Sequence, residues 1–108
     1  MDTYLDPFDA LGDRTRRTVF ELLRVGPQPV TAIAAQMPVS RPAVSQHLRV
    51  LKDAGLVVDH PVGNRRLYAI SPGGLEVVRS YVESFWDQAL IGFKQAADSQ
   101  PKEDGDGR

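Results

Sequence analysis

A chain of 108 residues with 42% hydrophobic and 25% charged residues fits one compact domain with an ordinary globular balance. It has no cysteine and only two histidines, His47 and His60, which excludes disulfides, thiolate metal sites and cysteine nucleophiles and argues against a histidine-rich cluster. The net charge of −1 is uneven: residues 1–13 carry four acids and no base, residues 14–66 nine bases and three acids, and residues 67–108 four bases and seven acids, so the middle can present a positive surface to a polyanion.

Asp6-Pro7 predicts a helix start, with the acid as N-cap and proline at the first helical position. Phe8 and Leu11 give this short first helix an apolar edge, and Gly12 ends it. Asp13 is placed to cap a second helix over residues 14–25, where Val19, Leu22 and Leu23 share one side, with Phe20 beside them. Gly26-Pro27 stops it. Thr31 is expected to cap a short third helix carrying Ile33, Ala34 and Met37, terminated by Pro38. Ser40 is expected to cap a fourth helix that tolerates Pro42 in its first turn and runs to about Ala54, with Gly55 as its left-handed terminator. Residues 56–60 then read as a strand, Gly63-Asn64 as a two-residue hairpin turn, and residues 65–70 as the return strand. Ser71-Pro72 opens a long last helix to about Asp98, and residues 99–108, polar and without an apolar anchor, read as a disordered tail. The expected class is mainly α with a β-hairpin wing, in the order α-α-α-α-β-β-α, with residues 1–98 as one domain. No apolar run approaches the roughly 18 residues that span a bilayer, and the acidic start lacks a signal peptide's pattern. A soluble cytoplasmic protein with no membrane partner is expected.

The third and fourth helices carry the functional signal. Ala34 is small where two helices of a helix-turn-helix touch, and Met37-Pro38-Val39 supplies the tight turn. Val44, Leu48 and Leu51 form an apolar stripe at i, i+4, i+7. On the opposite face Arg41, Ser45, Arg49 and Lys52 fall within about 80° of arc, with Gln46 beside them. Such a face can enter a major groove about 12 Å wide, where arginine pairs bidentately with guanine and glutamine with adenine. Arg65 and Arg66 follow the hairpin tip. Alternation sends them to opposite faces, and at least one is expected to reach a phosphate or the minor groove.

These features resemble the ArsR family of bacterial winged helix-turn-helix repressors. The resemblance rests on Leu11-Gly12-Asp13-Arg14-Thr15-Arg16-Arg17, on the stretch Val44-Ser45-Gln46-His47-Leu48-Arg49-Val50-Leu51-Lys52-Asp53-Ala54-Gly55-Leu56-Val57, and on Arg65-Arg66-Leu67-Tyr68. It implies a sequence-specific regulator binding an operator in double-stranded DNA and blocking transcription, often of its own operon. By position it implies base reading by Ser45, Gln46 and Arg49, often accompanied by His47. Packing of the His47 ring at the edge of the core stripe is the alternative. The full candidate DNA-binding set is Ser40, Arg41, Ser45, Gln46, His47, Arg49, Lys52, Arg65 and Arg66. The chain departs from the family's metal sensors, having no cysteine in residues 32–36 and no histidine in the last helix, whose acids are Glu76, Glu83 and Asp87. Hard oxygen ligands alone suit transition metals poorly. It resembles the branch lacking the cysteine motif: no metal and no cofactor are expected, and no effector is assigned.

The last helix carries Leu75, Val78, Val82, Phe85, Ala89, Leu90 and Phe93, with Tyr81 and Trp86 beside the stripe, an apolar arc wider than this small core needs. It predicts a homodimer. The resemblance places the first helix, with Phe8 and Leu11, in the same interface as Leu75, Val78, Val82, Phe85, Trp86, Ala89, Leu90 and Phe93. Two alternatives stay open: a winged-helix module that binds protein rather than DNA, and a metal-responsive repressor using oxygen ligands and His60. An enzyme is disfavoured, because there is no cysteine, no glycine-rich phosphate loop and no helix with paired metal ligands.

Overall fold

The computed structural model describes residues 7–99. Its elements are α1 (Pro7–Leu11), α2 (Arg14–Leu22) continued by a 3₁₀ turn (Leu23–Val25), β1 (Gln28–Pro29), α3 (Val30–Ala34), α4 (Arg41–Asp53), β2 (Val57–Val62), β3 (Arg65–Ile70) and α5 (Pro72–Ser99). The arrangement is a helix-turn-helix followed by a β-hairpin wing. The chain divides after Val78 into one unit holding all elements through the start of α5 and a second beginning at Arg79. No described helix is long and apolar enough to cross a membrane.

The caps explain most boundaries. Asp13 accepts from the Arg16 N–H at 2.9 Å and starts α2. Arg16 Nε and Arg17 Nη1 donate back to the carbonyls of Ala10 and Leu11, each at 2.7 Å, satisfying the orphan acceptors at the end of α1. One charged segment therefore closes one helix and opens the next. Ser40 Oγ accepts from the Ala43 N–H at 3.2 Å and starts α4. At the far end of α4, Gly55 N–H bonds the Lys52 carbonyl and Leu56 N–H the Leu51 carbonyl, the paired closure of a Schellman motif. It requires a left-handed residue between them, and Gly55 has φ of 83°. Leu51 and Leu56, which should touch in this motif, are both fully buried.

Five expectations are corrected. Thr31 does not cap α3: the helix begins at Val30 with Pro29 as its cap residue and no side-chain cap bond. Pro29 already has the fixed φ and extended backbone of a cap, so the helix starts two residues earlier. Pro29 also belongs to an unexpected third strand, β1, which pairs antiparallel with β3 through Gln28↔Tyr68 and Pro29↔Leu67, giving the sheet order β1-β3-β2. The third helix also ends earlier than expected, at Ala34, because the chain turns through three-residue hydrogen bonds from Gln36 to Ile33 and from Met37 to Ala34 before Pro38 is reached. The first strand of the hairpin extends to Val62, two residues beyond expectation, and Ser99 belongs to α5. Asp6 and the rest of the expected tail lie outside the described residues.

The core of the first unit is made by Ala10, Val19, Leu23, Ile33, Val44, Leu48, Leu51, Ala54, Leu56 and Val57. It places α4 over α1, α2 and α3, so one face of α4 is fully committed to packing. The start of α5 is fastened to the end of α4: Ser71 N–H bonds the Leu56 carbonyl at 2.9 Å, and Ser71 Oγ accepts from the Gly74 N–H at 3.2 Å. In the second unit the helix exposes Tyr81, Val82, Phe85, Trp86, Leu90, Ile91 and Phe93, each more than half accessible. Tyr81 and Phe85 form a tilted ring pair with centroids 4.9 Å apart. Its ion pairs Arg79–Glu83 and Lys94–Asp98 are exposed i,i+4 pairs, worth about 0.3–0.5 kcal/mol each.

Candidate nucleic-acid interface

Helix α4 sorts its side chains into two faces. Val44, Leu48 and Leu51 are fully buried, whereas Arg41, Ser45, Gln46, Arg49 and Lys52 are exposed. Ser40 is exposed as well, with its hydroxyl engaged in the cap. The polar face is therefore backed by buried core, and among the described residues Arg41, Ser45, Gln46 and Arg49 have no side-chain partner within the chain, whereas Lys52 has one on the wing.

The wing stands beside this face. A two-residue turn, with Gly63 at φ of 65°, sets the register Val62↔Arg65, Pro61↔Arg66 and Asp59↔Tyr68. Alternation then puts Asp59, Arg66 and Tyr68 on one side of the hairpin and Val58, His60 and Arg65 on the other. On the first side Asp59 accepts from Lys52 Nζ at 2.8 Å and from Arg66 Nη1 at 3.1 Å. Its carboxylate is only 7% exposed, beneath cations that are each about half exposed. The hydrogen bond from Lys52, then that from Arg66, holds the Asp59 carboxyl below the usual aspartate range, against the opposing cost of desolvation.

Two clefts flank Arg66 and Tyr68. The larger, of about 640 Å³, is bordered by Ser45, Arg49, Lys52, Asp53, Asp59 and Arg66. The smaller, of about 230 Å³, holds Arg41, Asn64 and Arg65 together with Thr31. The structure thus brings eight of the nine sequence-predicted residues to the exposed side of α4, its cap and the wing beside it: Ser40, Arg41, Ser45, Gln46, Arg49, Lys52, Arg65 and Arg66. Gln46 is exposed on α4 outside both clefts. His47 is half-buried toward α2, close enough for its charge to act on Asp13. The Arg16 N–H is the main cause holding the Asp13 carboxyl low, and His47 adds to it. Asp59 and Tyr68 are not among the sequence-predicted binding residues. The turn at Gly63-Asn64 carries the missing signal, since a two-residue turn pairs residue 59 with 68 and puts 59 on the face of 66.

Among the candidate interface residues of α1 and α5, Leu11 and Val78 are half-buried against the chain's own core. Phe8 and Leu75 are exposed, as are Val82, Phe85, Trp86, Ala89, Leu90 and Phe93. Among the described residues no group of three or more His, Asp or Glu side chains is placed to hold a metal ion.

A family described as a helix-turn-helix domain matches residues 11–60, the segment from the end of α1 to the middle of β2. The chain is 50% identical over 103 residues to the HTH-type transcriptional regulator Rv2034 of Mycobacterium tuberculosis, covering 93% of this chain and 96% of that protein. Among solved structures, an ArsR-like transcriptional regulator from Rhodococcus sp. RHA1 is 33% identical, with a TM-score of 0.68, covering 86% of this chain and 91% of that one. The chain belongs to the ArsR family of winged helix-turn-helix transcriptional regulators. A third relative of similar fold is Mb0332 of Mycobacterium bovis, a possible ArsR-family regulator whose homodimeric winged helix-turn-helix DNA-binding domain is known in solution; it is 29% identical, with a TM-score of 0.61, and the match covers 77% of each chain. In this ArsR-family chain, α3 and α4 are the helix pair, α4 presents the polar face, and the β2–β3 hairpin is the wing.

Proposed function

We propose that the protein is a homodimeric repressor that reads an inverted-repeat operator with α4, by occupancy rather than by catalysis, its own promoter being the first site to test. The observation that carries this is the face of α4: Arg41, Ser45, Gln46 and Arg49 exposed on a helix whose opposite side is fully buried. A helix held that firmly can present base-reading groups to a major groove with little ordering cost. Arg65, exposed and without a carboxylate partner among the described residues, is suited to a backbone phosphate.

The apolar positions of α5 support the dimer. Val82, Phe85, Trp86, Leu90 and Phe93 are 51–74% exposed in the single chain. Contiguous apolar surface of this kind marks an interaction site, and the Mycobacterium bovis relative is homodimeric. Two recognition helices related by a two-fold axis require half-site centres about 34–36 Å apart.

The test uses a duplex recovered by selection from a random library and a scrambled duplex of the same composition. Gln46→Ala and Arg49→Ala should each cost about 1–3 kcal/mol on the selected duplex and much less on the scrambled one. Equal losses on both would mean that α4 does not read bases, and would favour a protein-binding winged helix instead.

A further inference from the structure

Five cations stand on the proposed DNA face, and they are not equivalent. Among the described residues Arg41, Arg49 and Arg65 have no carboxylate within ion-pair distance. Lys52 and Arg66 both converge on Asp59, at 2.8 and 3.1 Å. The three partners come from three elements: Lys52 from the last turn of α4, Asp59 from β2 and Arg66 from β3. The carboxylate lies underneath, almost fully buried, with the two cations over it at the mouth of the larger cleft.

This geometry has two consequences. The tie links the wing strand bearing Arg66 to the last turn of α4. It also reduces the charge of the triad to +1 and holds both cations in place. Phosphate contacts carry no sequence information, and each one formed by a free cation adds about 0.9 to the slope of log affinity against log salt. Two unrestrained cations here would strengthen binding to every DNA alike.

We propose that Asp59 is a specificity-determining positioning residue, which holds Lys52 and Arg66 as a fixed pair and keeps them from indiscriminate phosphate contact. The proposal rests on the DNA-binding reading above. Asp59→Asn keeps the side-chain shape and one acceptor while removing the charge. It should raise affinity for the scrambled duplex about tenfold at low salt, steepen its salt slope by about one to two units, and narrow the ratio between selected and scrambled duplexes. Asp59→Glu should restore most of that ratio.

Double variants separate this from a merely structural tie. With Asp59 present, Lys52→Ala or Arg66→Ala should leave the salt slope nearly unchanged. In the Asp59→Asn background each should remove about one unit. Binding to both duplexes is measured by anisotropy between 50 and 200 mM salt. The proposal is overturned by an Asp59→Asn protein whose slope and discrimination equal the parent's, or by one that weakens on both duplexes at an unchanged slope. If Asp59→Asn does not fold, the single Lys52→Ala and Arg66→Ala variants decide: unchanged slopes support the proposal, and a full unit lost from each overturns it. A parent protein that binds neither duplex removes the DNA-binding reading itself, a distinguishable result.

Discussion

Two adjacent glycines at the start of α5 should respond to the same substitution with opposite signs. A Cβ built at Gly74 would collide with the Gly55 carbonyl and come within 2.8 Å of its carbon and 3.0 Å of Leu56 Cα. Those atoms cannot give easily. Gly55 holds the left-handed turn after α4, and its N–H and that of Leu56 are both committed to the Schellman closure. At Gly73 an added Cβ meets only Ser71 Oγ at 3.8 Å, an ordinary contact. Replacing glycine by alanine in a helix gains up to about 1 kcal/mol. Forcing a methyl group into filled space costs about 1–3 kcal/mol. At Gly74 the clash is with backbone, so the upper part of that range applies and Gly74→Ala should lose about 1–2 kcal/mol net. For a domain of this size each kcal/mol moves Tm by about 4–8 °C, so Tm should fall by about 5–15 °C. Gly73→Ala should hold or raise Tm by a few degrees. Thermal and urea unfolding followed by circular dichroism measure both. A Gly74→Ala protein as stable as the parent would show that α5 is not seated against the end of α4, and the reasoning would fail.

Three further outcomes are expected. Charging the exposed apolar face with Phe85→Glu and Leu90→Glu should convert a dimer into a monomer or an aggregate and weaken DNA binding, as read by sedimentation; a well-folded parent that is monomeric at micromolar concentration would refute the dimer. The Asp59 carboxyl is held below its ordinary value near 4, so its favourable pairing is fully present above that value and fades as pH falls through the lowered one. The stability gap between the parent and Asp59→Asn should accordingly be constant from pH 5 to 7 and shrink in more acidic solution, and a gap that widens with acid would contradict the pairing. In a chain without cysteine, DNA affinity should be indifferent to chelator, zinc, nickel or cadmium; a tenfold change with a stoichiometric metal, in titrations monitored by Trp86 fluorescence and DNA binding, would reveal a site.

The parts of the fold written locally were legible in the residues. Ser40, the stripe Val44, Leu48 and Leu51, and Gly55 lie within one helix and its caps, and each plays the part its position suggests. Asp13 and the pair Gly63-Asn64 are equally local signals. The parts that depend on distant neighbours were not legible. Gln28-Pro29 is too short to show alternation and contains proline, so only its pairing with Tyr68 and Leu67 makes it a strand. Thr31 carries an ordinary cap signal, but the strand that ends at Pro29 starts the helix two residues earlier. Lys52 and Arg66 look like two free cations when read along the chain. Only the register of the hairpin reveals that Asp59 sits between them.

Helix α4 serves stability on one side and the proposed recognition on the other, and neighbouring residues allow the two to be separated. Leu48 is fully buried and Arg49, the next residue, is exposed. Leu48→Ala removes core contacts and leaves a cavity, a change that costs about 2–5 kcal/mol. Against a total stability of about 5–15 kcal/mol, that can unfold a visible fraction of the protein. Its effect on DNA binding should then follow the folded fraction, equal on selected and scrambled duplexes and recovered on moderate cooling. Arg49→Ala removes an exposed group that makes no ion pair among the described residues, so Tm should stay within about 4 °C of the parent, the scale of a surface substitution of up to about 0.5 kcal/mol. Its loss of affinity should persist on cooling and fall mainly on the selected duplex. Titrating both variants against both duplexes at two temperatures, with the folded fraction read by circular dichroism, distinguishes the two mechanisms. If Arg49→Ala lost affinity only in proportion to lost structure, its side chain would be part of the scaffold, and α4 would have no separable reading face.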